Sequence, residues 1–194
     1  MEAEKPRCQW CLGFDDYVKY HDTEWGVPAY SDEVHFEFLV LESAQAGLSW
    51  ATILKKREGY RKAFADFDYR VVAEFPESRI QELMQDAGII RNELKIKAAI
   101  NNAERFMEVQ QEFGSFSDYI WGFVGGKPIQ NHYQSTFEVP ATTEASDKLA
   151  KDLKKRGFKF LGSTTIYAHM QATGLVNDHM PHCFRYKEVQ QLMK

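Results

Sequence analysis

The 194-residue chain has only three cysteines, an odd number. A disulfide framework needs pairs, so these thiols are read as free or metal-bound. There is no apolar run long enough to cross a bilayer, and the opening "MEAEKPRCQW" lacks the charged-then-apolar order of a secretory leader. The expectation is a soluble, cytoplasmic protein with no membrane contact. Positive charge is also in short supply, with 24 Lys and Arg against 28 Asp and Glu and a net charge of −4. That excludes a protein that coats nucleic acid indiscriminately, but not one that meets DNA with a single face. Internal repeats, low-complexity tracts and strand-like alternation are missing too.

What is present is 44% hydrophobic and 14% aromatic, enough to bury a core without staples. Ser31 followed by Asp32 and Glu33 reads as a helix cap with acids in the first turn. Val34, Phe38, Leu41 and Gln45 then recur at helical spacing until Gly47. "SWATILKKREGYRKAF", "PESRIQELMQDAG", "RNELKIKAAINNAERFMEVQQEFG" and "SFSDYIWGFV" each predict a helix. "GGKPIQNHYQSTFEVP" predicts a surface loop, and "TEASDKLAKDLKKRG" and "STTIYAHMQATG" two helices joined by a short connection. The fold class is all-α, with residues 1–194 in one compact unit or two lobes.

Cys8 and His21 near one end, with His179 and Cys183 in "NDHMPHC" near the other, make a Cys2His2 set suited to tetrahedral zinc. Four protein ligands leave no open position, so such an ion would clip the chain ends together. Cys11 and His182 compete for the same roles, and buried apolar thiols beside ordinary histidines are an equal reading of the same residues.

Two clusters are basic, "LKKREGYRK" and "KDLKKRGFKF", and for either alone a solvated helix face is the commoner explanation. The second lies at a corner where Gly157 and Gly162 bracket a turn and Ser163 opens a helix. Free N–H groups at such a helix start can hold a phosphate, with Lys154, Lys155, Arg156 and Lys159 adding charge. Glu42 raises a different question. It shares a helix face with Phe38, Leu39 and Ala46, where an unpaired carboxylate costs several kcal/mol. Trp10, Tyr17, Tyr20 and Trp50 gather around it in sequence. A carboxylate among aromatics suits a pocket for a planar, cationic or proton-donating ring. A structural ion pair with an arginine is the more ordinary use.

"YHDTEWGVP", "LESAQAGLSWATILKKR", "DAGIIRN", "LKKRGFKFLG" and "QATGLVNDH", in this order from about Cys8 to Cys183, resemble the 3-methyladenine DNA glycosylase I family, constitutive alkylation-repair enzymes of bacteria. The resemblance implies an all-α helix-hairpin-helix glycosylase fold, with the hairpin around residues 149–174. It implies a structural zinc on Cys8, His21, His179 and Cys183 joining the N- and C-terminal segments. It places the methylated base against Glu42, assisted by Tyr20, with Trp10, Tyr17 and Trp50 as aromatic walls. Gln45, Gly47 and Leu48 match the loop that probes the duplex, with Leu48 as its apolar wedge. Gly157, Lys159, Gly162 and Ser163 fall on the DNA-backbone hairpin. The partner implied is double-stranded DNA containing alkylated adenine, and the protein is expected to act as a monomer.

The sequence departs from the pattern in three places. Cys11 and His182 are extra donors, "FRYKEVQQLMK" continues past the last ligand, and Asn177, beside Asp178, stands where the wider superfamily has an aspartate. The reaction expected is monofunctional hydrolysis, since the proposed pocket holds no lysine for a Schiff base. Two rival functions are a zinc-dependent hydrolase and a non-enzymatic helix-hairpin-helix module that recognises damaged DNA.

Overall fold

A computed structural model describes residues 5–192 of the chain. Among these residues the fold is mostly helical, and no helix is long and apolar enough to cross a membrane.

A short 3-10 turn at Gln9–Cys11 leads into α1 (Asp15–Thr23). The Ser31 hydroxyl accepts from the N–H of Val34 and starts α2 (Asp32–Gln45), as its sequence predicts. Asp32 has a second role. Its carboxylate accepts from the N–H groups of Phe116 and Ser117, tying α2 to the start of α8 (Phe116–Gly122). The single helix expected over "SWATILKKREGYRKAF" is two, α3 (Trp50–Lys55) and α4 (Arg57–Ala63), broken at Lys56. Tertiary bonds favour the break. Lys56 Nζ donates to Ala87 O, while the turned α4 lets the Tyr60 hydroxyl accept from the Ile90 N–H and puts Arg57 and Arg61 on Glu37.

The short helices α5 (Tyr69–Ala73) and α6 (Glu77–Leu83) pack on the long α7 (Glu93–Phe113). The second of these stops at Leu83, short of the glycine expected to close it. Asn92 caps α7, and Gly114 ends it at the glycine that closes the predicted helix. Phe36, Phe106 and Phe116 meet between α2, α7 and α8, with Phe106 and Phe116 stacked 4.2 Å apart, and form the centre of the core. Burying each aromatic contributes about 2–3 kcal/mol.

Thr143 and Ser146 form a capping box that starts α9 (Glu144–Lys155), and residues 156–162 connect it to α10 (Ser163–Ala172). α10 packs against both α9 and α2. The predicted loop at 125–140 holds one departure from all-α. Ile129–Gln130 (β1) pairs in parallel with Val176–Asn177 (β2). The chain after the last Cys–His pair forms α11 (Phe184–Leu192). Gly174, at φ +73°, lies so close to the Val27–Pro28 backbone that a Cβ there would sit 2.5 Å from it. The chain entering α2 is thereby laid flat on the end of α10.

Candidate functional site

Two buried clusters of chemistry-bearing side chains stand out. The first joins the chain ends. Cys8, His21, His179 and Cys183 are all buried, and their ligand atoms lie within 4.8 Å of one another. Cys183 Sγ lies 3.4 Å from His21 Nε2 and 3.7 Å from His179 Nδ1, and Cys8 Sγ lies 3.8 Å from His179 Nδ1. The outer nitrogen of each imidazole is engaged in turn: His21 Nδ1 lies 2.8 Å from Asp22 Oδ1, and His179 Nε2 donates to Trp25 O at 2.9 Å. Those outer bonds leave His21 Nε2 and His179 Nδ1 facing the sulfurs, an arrangement that suits metal-bound histidines. Hydrogen bonds from Cys8 and from both imidazoles pull the Cys183 thiol far below its ordinary value, and its hydrogen bond with Cys183 pushes Cys8 up. The two rival donors drop out. The Cys11 thiol donates to Cys8 O at 3.1 Å, and His182 is exposed.

The second cluster surrounds Glu42, which is 3% exposed in the last turn of α2. No ion pair with an arginine is seen for it among the described residues. Its Oε2 lies 2.8 Å from His169 Nδ1 on α10, His169 Nε2 lies 3.1 Å from His35 Nδ1 on α2, and His35 Nε2 donates to Ala29 O at 3.1 Å. Burial raises the Glu42 carboxyl well above its usual range and lowers both histidines to about 3, so Glu42 is held protonated and the imidazoles neutral.

Glu42 lines two adjoining clefts. One, of about 170 Å³, has Tyr20, Trp50, Gln171 and Ala172 in its walls, and the other, of about 190 Å³, has Ala46, Gly47, Leu48 and Thr165. The Tyr20 and Trp50 rings are 5.6 Å apart, and Trp50 stacks on Phe38. The Trp50 Nε1–H is buried with no partner among the described residues. Burial keeps Tyr20 a neutral phenol. Trp10 and Tyr17 do not line either cleft. Trp10 sits behind Tyr20, 6.4 Å from its ring, and also packs on Tyr17, Trp25 and His21. It bridges the two clusters.

Gln45 ends α2, and Leu48, 41% exposed, projects from the turn after it. At the other predicted DNA contact, Gly157 (φ +93°) closes α9 and the N–H groups of Gly162 and Ser163 open α10. Asn102 on α7 fixes the turn by bonding both the N–H and the carbonyl of Lys159, whose side chain is exposed. Two expected contributors are committed elsewhere. Arg156 pairs with Asp152 and Glu112, and the Ser163 hydroxyl bonds Asp147 and Ser146. In the other basic stretch both arginines are paired too, Arg57 on Glu24 and Glu37 and Arg61 on Glu37, along a cleft of about 430 Å³. Asn177 lies in β2 and bonds Tyr186 O, while Asp178 accepts from Tyr167, Gln171 and Asn131. Neither faces Glu42.

His35 and His169 are absent from the sequence reading. The sequence carries one sign of them: His35 and Glu42 stand seven residues apart, two polar groups on one face of an apolar helix.

The fold aligns with a crystal structure of 3-methyladenine DNA glycosylase I at TM-score 0.90 and 49% identity, covering 92% of this chain and 98% of that one. It aligns at TM-score 0.89 and 38% identity with the Staphylococcus aureus enzyme, solved to explain 3-methyladenine recognition, over 92% and 95% of the two chains. DNA-3-methyladenine glycosylase 1 of Escherichia coli strain K12 is 48% identical over 180 residues, 93% of this chain and 96% of that protein. Residues 10–186 match the profile of the methyladenine glycosylases. The chain belongs to the methyladenine glycosylase family.

Proposed function

We propose that this protein removes N3-methyladenine from double-stranded DNA by hydrolysing the bond between base and deoxyribose, leaving an abasic site. The observation that carries the reading is Glu42, a buried acid bonded through one oxygen only and lining clefts walled by Tyr20 and Trp50. Methylation at N3 makes the base cationic and already a good leaving group. The protein's task is to extrude the nucleotide and to bind the cation better than a neutral base. Glu42 accepts from the exocyclic amine. The arriving cation lowers the carboxyl pKa, so the proton on Oε2 passes to His169 Nδ1 and leaves a carboxylate opposite the ring. Trp50 and Tyr20 contribute cation–π attraction that unmodified adenine lacks.

The C1′–N9 electron pair then leaves with the base and neutralises it. Water adds to C1′ and releases a proton. Asp178 is tied by three donors, so no second carboxylate is reserved for that water. No lysine lines the clefts beside Glu42, which fits hydrolysis without strand cleavage.

Zinc fits the thiolate and imidazole donors of the end-to-end cluster. When bound it would supply cohesion between the termini, and four protein ligands leave no position for substrate. The α9–α10 unit serves as a helix-hairpin-helix grip, offering backbone N–H groups at Gly162 and Ser163, with Lys159 beside them. Leu48 fills the gap left by the extruded nucleotide. The test is incubation with methylated duplex DNA and chromatography of the released bases. Release of 3-methyladenine with uncut strands is expected, and no release by folded protein overturns the reading.

A further inference from the structure

We propose that His169 and His35 are positioning residues that make Glu42 an acceptor only toward the cleft, so that the site selects a methylated base with an amine at position 6 over one with a carbonyl there. This rests on the glycosylase reading above.

The argument is a count of protons. Three contacts run in series from Ala29 O through His35 and His169 to Glu42 Oε2, at 3.1, 3.1 and 2.8 Å. A carbonyl can only accept, so His35 Nε2 carries a proton. A neutral His35 then accepts at Nδ1, His169 Nε2 carries a proton, and a neutral His169 accepts at Nδ1. Satisfying the last contact takes a third proton, from the Glu42 carboxyl. The filled series therefore has no net charge, as three fully buried side chains require. If that proton crosses to His169, the pair becomes an ion pair and the total is unchanged. In both states the proton lies between Oε2 and Nδ1, and Oε1 offers only lone pairs to the cleft. No hydrogen bond reaches Oε1 from the described residues.

The other groups facing this series do not alter the count. Tyr20, on α1, stays a phenol, and Asp32, the carboxylate that acts on His35, is taken up by the N–H groups of Phe116 and Ser117.

Adenine carries a donor at position 6 and guanine an acceptor. A 3-methylguanine placed in this cleft would set its O6 against Oε1, acceptor facing acceptor. Sites built on a donor–acceptor match reject the mismatched analogue strongly.

The experiment compares release of 3-methyladenine and 3-methylguanine from the same methylated DNA by wild type, His169→Phe, His35→Leu and Glu42→Gln. In His169→Phe the carboxyl proton is free to turn into the cleft and donate to O6. In His35→Leu the His169 tautomer is no longer fixed. Both should lower the adenine-to-guanine ratio by about tenfold or more. Glu42→Gln should be slower, because an amide cannot ionise, yet keep its ratio within about twofold, since His169 holds the amide N–H and leaves the oxygen in the cleft. Equal losses on both lesions in the two histidine variants would mean that they only pack, and would overturn the proposal. So would a collapsed ratio in Glu42→Gln, which would mean that His169 donates. A wild type that releases neither base refutes the glycosylase reading instead.

Discussion

The protein buries two clusters of titratable side chains, and they differ in where their bonding capacity points. In the Cys8/His21/His179/Cys183 cluster every donor turns inward, and Asp22 and Trp25 O occupy the outer nitrogens. Nothing is left for a visitor. In the Glu42 cluster the carboxyl is satisfied on one oxygen by His169 and opens on a cleft with the other, next to an unpartnered Trp50 N–H. Burial alone does not separate a structural cluster from a functional one. An incomplete set of partners beside a cavity does.

The sharpest way to break this contrast is to remove the open carboxyl. Glu42→Ala should reduce 3-methyladenine release by about 10²–10³-fold, the range for losing a preorganised polar group at a reacting centre. Its melting temperature should fall by only about 5 °C, because the buried acid leaves along with its own cost while His169 Nδ1 loses its partner. Near-normal excision by this variant would place recognition elsewhere.

The closed cluster should behave in the opposite way. Cys183→Ala should lose stoichiometric zinc by elemental analysis and lower the melting temperature by about 10 °C or more, while the folded fraction keeps its rate per molecule. A stable but inactive variant would move the metal into the chemistry.

Acid should weaken the polar series in a predictable direction. Histidines near 3 in the folded state and 6.5 when unfolded let the unfolded chain bind more protons as pH falls below 6.5. Stability is therefore lost from about pH 6.5 downward, by about 1.4 kcal/mol per histidine per pH unit at most. The raised Glu42 carboxyl works against this, since its contribution is present at low pH and is lost as pH rises. Denaturant melts of His35→Leu at neutral and mildly acid pH should show a flatter acid limb than wild type.

The smallest effect belongs to the DNA face. Lys159→Ala should lower the slope of log affinity against log salt by about 1, one phosphate contact. Arg156→Ala should leave the slope unchanged, because Glu112 and Asp152 already neutralise its charge.

Much of this was readable in the chain because the deciding signals are local. Ser31 and Gly114 mark helix ends by their own backbone chemistry, and the structure puts caps there. The four metal-type donors were legible by residue type, but spacing could not separate Cys8 from Cys11. What separates them is that Cys11 spends its thiol on Cys8 O. The break at Lys56 was hidden, because the bonds that favour it come from Ala87, Ile90 and Glu37, far along the chain. The histidine series was hidden for the same reason: His169 meets His35 across 134 positions. Trp10 and Tyr17 are the converse case: close to Glu42 in sequence, they do not line its two clefts, and Trp10 packs on the edge of Tyr20.

The Cys/His cluster also sets an order of events during synthesis. Cys8 emerges first, but its partner His179 lies 171 residues later. At about 5–20 residues per second the ribosome needs roughly 10–35 s to deliver it. Through that interval the nascent N-terminal segment carries Cys8 and His21 without their final partners. The segment that carries His179 and Cys183 locks one made 171 residues earlier.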